Sequence, residues 1–217
     1  MKIEYRRNLP HLQYVGATFF ITFCLKGSLP ADTVRRLIEE RHTALRQLQQ
    51  PSQEAIVKAH KRYFAKINGI LDRCQSGNRW LQNRSIAEHI ADKIKSYDGL
   101  AYDLIAYCIM PNHVHLLVDF AVQLENWEET TQPGRQNYQQ LYTVLQQIKG
   151  HTAHQANKML GRSGAFWQPE SYDHVVRSKQ ELKNIVHYIL QNPVQAGLVT
   201  DWRHWPYNYL NERTYGL

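Results

Sequence analysis

Cysteine is scarce in this chain and badly spaced for pairing. Cys24, Cys74 and Cys108 are the only three in 217 residues, and none stands in a C-x-x-C spacing. Neither a disulfide framework nor a thiolate zinc site is indicated, so reduced core thiols and no disulfide-linked partner are expected. Long apolar runs are missing too. No stretch approaches the ~18 consecutive apolar residues that span a bilayer, and Met1-Lys2-Ile3-Glu4-Tyr5-Arg6-Arg7 lacks the apolar run of a secretion signal. A cytoplasmic location follows as an expectation. No basic amphipathic block stands out to lay the chain on a membrane, and there is no internal repeat.

Positive charge and aromatic rings are abundant instead. The formal charge is +7, beside 5 Trp and 13 Tyr, a mixture suited to phosphates and stacked bases, which makes nucleic acid the expected partner. At this length a single domain with an insertion is expected, large enough for a sizeable core.

Along the chain, Val15 to Leu25 is rich in β-branched and aromatic residues and reads as a first, central strand. From Ala31 to about Cys74 the apolar residues take helical spacing, broken at Pro51-Ser52, which predicts two helices. Ser85-Ile86-Ala87-Glu88 resembles a capping box opening a helix to about Tyr97, closed by Asp98-Gly99. Tyr102–Met110 and His113–Phe120 flank Pro111-Asn112 and should pair as an antiparallel hairpin. Glu125 to Arg135 reads as a loop, and Leu141 to Leu160 as a helix capped by Gly161. Ser171 to Arg177 follows as a fourth strand, and Gln180 to Asn192 as a helix stopping at Pro193. This order predicts an α+β domain over residues 1–217, an antiparallel sheet with helices on one face, with 30–75 as a helical insertion.

Side chains two apart on a strand point the same way, so His113 and His115 can offer two imidazole nitrogens to one divalent ion. Eleven histidines in the chain make one chance His-x-His unremarkable, so the pair is weak alone. In the last helix Tyr188 and Asn192 are four apart and stack on one face. A phenol there serves as a nucleophile only if a nearby cation or base favours its phenolate, and the Asn192 amide oxygen could complete a ligand set for Mg²⁺ or Mn²⁺. Ordinary packing for Tyr188, and a helix terminus for an Asn before Pro, remain the competing readings.

Four segments in order narrow the choice: Tyr107 to Leu117 with its Pro-Asn-His-Val-His core, Phe166-Trp167-Gln168, Tyr172 to Arg177, and Tyr188-Ile189-Leu190-Gln191-Asn192-Pro193-Val194-Gln195-Ala196-Gly197-Leu198-Val199. Together they resemble the single-tyrosine HUH transposases, in the branch called REP-associated tyrosine transposases, over roughly residues 15 to 25 and 80 to 207. The resemblance implies a ferredoxin-like HUH fold and a metal-dependent enzyme that cleaves and rejoins single-stranded DNA beside hairpins through a 5′-phosphotyrosine. It implies His113 and His115 as the HUH metal ligands, Tyr188 as nucleophile and Asn192 as third ligand. The 30–75 insertion and Glu170-Ser171 before Tyr172 depart from the family pattern.

Asp173 and His174 match a family feature and are accessory candidates, although neighbours on a strand face opposite sides. Lys149 is a candidate for meeting a phosphate, and Arg6, Arg7, Trp167 and Gln168 for holding DNA. His151 and His154 lie three apart on a helix and form a weaker metal candidate. His187 projects about 100° away from Tyr188 around its helix and is not taken as a base. A histidine-triad hydrolase would need a third alternating histidine where Leu117 stands. The other alternative is a domesticated regulator that binds hairpins without cutting. A monomer is favoured over a dimer with swapped sites, and nucleoid association is expected of a DNA enzyme.

Overall fold

Every residue from Phe19 to Leu25 is buried, which an alternating strand with one wet face would not allow. Such a strand needs cover on both sides. In the computed structural model, which describes residues 2–6, 10–48, 50, 52–125 and 138–212, that cover comes from two helical layers. The elements run β1 (Lys2–Arg6), β2 (Pro10–Tyr14), β3 (Thr18–Leu25), α1 (Ala31–Arg46), α2 (Gln53–Leu71), α3 (Arg84–Lys95), β4 (Asp103–Ile109), β5 (His113–Asp119), α4 (Val122–Glu125), α5 (Leu141–Met159), β6 (Trp167–Val175), α6 (Lys179–Gln195) and β7 (Asn208–Leu210), with single 3-10 turns at Trp80–Gln82 and Trp202–His204. Five strands form one antiparallel sheet in the order β6-β3-β5-β4-β7, and β1 pairs with β2 separately.

The α+β class and the antiparallel sheet agree with the sequence. The helices expected on one face are divided between two. On the first face Phe19, Ile21 and Phe23 of β3 and Val114, Leu116 and Val118 of β5 meet Ile86, Ile90 and Ile94 of α3 and Leu141, Val144, Leu145 and Ile148 of α5. On the second face Phe20 and Leu117 meet Val186, Ile189 and Leu190 of α6. Beside them, Cys24 and Tyr172 meet Leu37 of α1 and Tyr63, Ile67 and Leu71 of α2. No helix among the described residues is long and apolar enough to cross a membrane.

Several boundaries moved for local reasons. Asn83, not Ser85, caps α3: its Oδ1 accepts the Ile86 N–H at 3.3 Å, while Glu88 pairs with Arg84 at 2.7 Å. Strand β6 begins at Trp167 although Pro169 lies inside it, because an edge strand tolerates a missing N–H on its outer side. Helix α6 runs through Pro193 to Gln195, since a proline near the end removes one intrahelical bond and the last turn continues with Ala196 N–H to Asn192 O at 2.9 Å. Ser52 caps α2 after the expected break, and Gly161 takes the left-handed conformation at φ +61° past α5. Gly77 is sterically required, because a Cβ there would lie 2.7 Å from the Gly27 carbonyl and Ser28 backbone. Arg7 and most of the expected 125–135 loop lie outside the described residues.

Candidate functional site

Alternation on β5 sends His113 and His115 to the second face, where both are fully buried. Their Nε2 atoms lie 3.0 Å apart. Each ring is held from behind, with His113 Nδ1 2.8 Å from Asn112 Oδ1 and His115 Nδ1 2.8 Å from Thr22 Oγ1. Engaging the Nδ1 atoms leaves the paired Nε2 atoms as the ligating ones. Asn112 is itself anchored: its Nδ2 donates to Ser76 O at 3.1 Å and its Oδ1 accepts from Cys74 Sγ at 3.4 Å. The hairpin turn read from Pro111-Asn112 therefore also orients a histidine.

The sequence reading missed Asp72. It is the C-cap of α2, where the chain turns sharply and reaches a left-handed Cys74 at φ +49°. Its Oδ1 sits 3.1 Å from His115 Nε2 and 3.4 Å from His113 Nε2. Its Oδ2 accepts a hydrogen bond from the Tyr188 hydroxyl at 2.6 Å. Asp72, His113 and His115 offer one ligand atom each within 4.8 Å of one another, a possible metal-binding group and the only group of three such side chains found among the described residues. The signal was faint: an acid directly after the apolar stripe of Phe64, Ile67 and Leu71 looks like an ordinary helix end.

Helix α6 supplies the rest. Tyr188 and Asn192 lie one turn apart, and the Tyr188 ring packs 5.2 Å from His115 and 5.8 Å from Phe20. Asn192 is fully buried with Nδ2 3.3 Å from His115 Nε2, and its Oδ1 has no hydrogen-bond partner. Turning that amide over would present the oxygen to the pair.

Electrostatics follow from this packing. Burial works to raise the Asp72 carboxyl, but the hydrogen bonds and charge of His113 and His115 prevail and hold it well below the usual carboxylate range. Burial, and then the neighbouring His115, lower the His113 imidazole to about 4, against the pull of Asp72. Burial first, and the Asp72 charge second, push the Tyr188 phenol far above an ordinary tyrosine. At neutral pH the cluster thus holds an ionised carboxylate, a neutral His113 and a protonated phenol.

The remaining candidates lie elsewhere. His174 shares the second face but bonds Glu181 Oε1 at 2.9 Å rather than the histidine pair. Asp173 lines a cavity of about 390 Å³ between α5 and β6, with Lys149, Trp167 and Gln168. Lys149 Nζ donates to the carbonyls of Gln168 and Pro169 and to Ser171 Oγ at 2.8, 3.1 and 2.9 Å, so it fastens α5 to β6. Trp167 is buried and its Nε1 donates to Thr152 Oγ1 at 3.0 Å. His151 stacks on His89 with ring centroids 5.1 Å apart. Arg6 stands at the end of β1.

No family model matches the chain. A curated protein of Haemophilus influenzae named "Putative REP-associated tyrosine transposase" is 29% identical over 107 residues, covering 49% of this chain and 58% of that protein. A "REP-associated tyrosine transposase" of Escherichia coli strain K12 is 22% identical over 107 residues, covering 49% and 53%. The match thus spans little more than half the length of either curated relative. A solved structure of a REP-associated tyrosine transposase bound to a REP hairpin has a TM-score of 0.50 at 18% identity, covering 95% of this chain and 81% of that one. That likeness speaks to the fold.

Proposed function

We propose that this chain is a single-tyrosine HUH transposase of the REP-associated kind, a metal-dependent endonuclease that cuts and rejoins single-stranded DNA next to hairpins. The observation that carries this reading is the bridge made by Asp72, one oxygen on the histidine pair and the other on the Tyr188 hydroxyl. Any buried phenol needs an acceptor, and what favours a nucleophile here is that the acceptor is shared with the histidine pair. The names of the curated relatives point the same way. In this reading residues 1–217 form one HUH domain, and the 30–75 segment is an insertion that brings the carboxylate.

The residues fit a divalent ion. Donors bound at about 2.1 Å and at right angles lie about 3 Å apart, the spacing of the two Nε2 atoms. With its amide turned over, Asn192 would bring its buried, unpartnered Oδ1 to the pair as a further donor. His113, His115 and Asp72, with Asn192, would hold Mg²⁺ or Mn²⁺. Such an ion supplies positive charge that draws in the phosphate oxygens and stabilises the charge built up in the transition state.

The chain's own groups do the rest. Tyr188 attacks phosphorus through its phenolic oxygen, the P–O3′ bond breaks, and the 3′ oxygen leaves as a hydroxyl, so the 5′ phosphate stays on tyrosine. Asp72 Oδ2 accepts the phenol hydrogen bond and so aims the attacking oxygen, while the phenol proton passes to water and water protonates the departing 3′ oxygen. Attack of a 3′-hydroxyl on the phosphotyrosine reverses the step and frees Tyr188 without ATP. The +7 charge favours holding the strand.

Incubating the protein with labelled hairpin-bearing single strand and Mn²⁺, followed by denaturing electrophoresis, tests this reading. A shortened strand and a protein-linked one are expected, with the nucleotide on the peptide containing Tyr188. Hairpin binding without cleavage would instead favour the regulator, and cleavage with no protein adduct a metal-water hydrolase.

A further inference from the structure

Helix α1 meets the core through Val34, Leu37 and Ile38, and its next inward position, four residues after Leu37, is Arg41. Arginine is almost never fully buried unless paired, yet Arg41 is only 6% exposed. Its guanidinium lies 5.4 Å from the centre of the Tyr63 ring, and Nη2 is 3.2 Å from His42 Nε2. Buried Glu170 acts on it through its charge. Even so, Nε and Nη1 are both buried with no hydrogen-bond acceptor. A guanidinium retained for packing would have those donors satisfied, because each buried N–H left unpaired opposes folding.

The position explains what such a fork is for. Tyr63 faces Tyr172 with rings 6.1 Å apart. Tyr172 pairs with Thr22, and Thr22 with His115, across β6, β3 and β5. Two strand spacings, roughly 10 Å, separate Tyr172 from the histidine on the same face of the sheet. Arg41 itself is buried, but Glu39, Glu40, His42 and Thr43 beside it on α1 are exposed, so the guanidinium meets a phosphate by swinging from Tyr63 toward that open side of the helix.

We propose that Arg41 is a phosphate-binding residue, and that the phosphate it takes is a backbone phosphate of the DNA strand a few nucleotides from the one attacked by Tyr188. An Arg fork matches two phosphate oxygens, which supply the acceptors that Nε and Nη1 lack. The identity of the ligand as DNA rests on the transposase reading above; the phosphate chemistry does not.

The test compares the parent with Arg41→Met, both stripped of metal by chelation. In inorganic phosphate against chloride at equal ionic strength, the parent melts higher in phosphate. Arg41→Met melts no lower than the parent in chloride and shows no phosphate response. With a single-stranded hairpin oligonucleotide, Arg41→Met binds roughly tenfold more weakly, and the slope of log affinity against log salt falls by about 0.7, the loss of one phosphate contact. Arg41→Lys keeps the charge without the fork and recovers only part of the affinity. A Met variant that melts well below the parent and keeps the phosphate response shows a packing arginine and overturns the proposal. A lost phosphate response with unchanged DNA affinity and salt slope overturns the strand contact. A phosphate response specific to Arg41 in a protein that binds no hairpin DNA supports the anion site and removes the transposase reading.

Discussion

Asp72 touches both histidines and the Tyr188 hydroxyl, and its replacement separates ion binding from packing. Asp72→Asn keeps the volume and removes the charge, so Mn²⁺ affinity measured by calorimetry should fall at least about tenfold. Equal affinity would show that the carboxylate is no ligand. His113→Ala should abolish cleavage while leaving hairpin binding largely intact, because phosphate contacts give most of the affinity. Tyr188→Phe removes only the attacking oxygen; it should fold and bind hairpin DNA like the parent and form no covalent adduct, by mass spectrometry of the trapped protein. An adduct that persists, on Tyr172 for instance, would move the nucleophile. At this scale spacing brought out the histidines, Tyr188 and Asn192 as candidates, and only the resemblance of four ordered segments to a known family set them above ordinary packing. Asp72 was not legible: it meets the histidines across 41 and 43 residues of chain, and nothing local distinguishes it from a solvated helix cap.

Among the elements, α2 positions the carboxylate and α6 the phenol, and each can be loosened separately. Ile67 is fully buried one turn before Leu71. Ile67→Ala should cost about 2–5 kcal/mol in denaturant unfolding and also weaken Mn²⁺ binding, since the C-terminus of α2 loses its seat. Unaltered metal affinity at reduced stability would show that the site does not depend on α2. The start of α6 is tied by Glu181, which accepts from Lys61 Nζ at 2.7 Å and from the Arg177 N–H at 2.8 Å and pairs with His174. Burial opposes its ionisation, but these partners lower the carboxyl to about 2 from an ordinary 4.5. A depressed carboxyl gives stability that is fully present above 4.5 and is lost as pH falls from there toward about 2. Glu181→Gln should therefore lower the melting temperature at pH 7 by roughly 2–4 °C and flatten the acid limb; parallel pH profiles for the two proteins would exclude Glu181 as the cause. The strong strands and the long helices were readable from periodicity. The second helical layer was hidden because a strand buried on both faces loses its alternation, and the three-residue β7 is set by pairing with β4 rather than by its own pattern.

For the whole molecule, the histidine pair, Asp72 and Tyr188 meet within one chain, so the proposed reading calls for no residue from a second copy. Mixing His113→Ala with Tyr188→Phe should restore no cleavage, whereas a dimer with swapped helices would regain part of it. All three thiols are interior and in no disulfide: Cys24 is the strand partner of His113, Cys108 that of His115, and Cys74 stands two residues past Asp72. Burial raises Cys24 to about 12 and Cys74 to about 11, and Cys108 well above the ordinary thiol value. The wild-type chain therefore comes with three native reporters around one centre, silent to thiol reagents until the second face opens. Their labelling rates, read by mass, would time the breathing of that centre without any introduced probe.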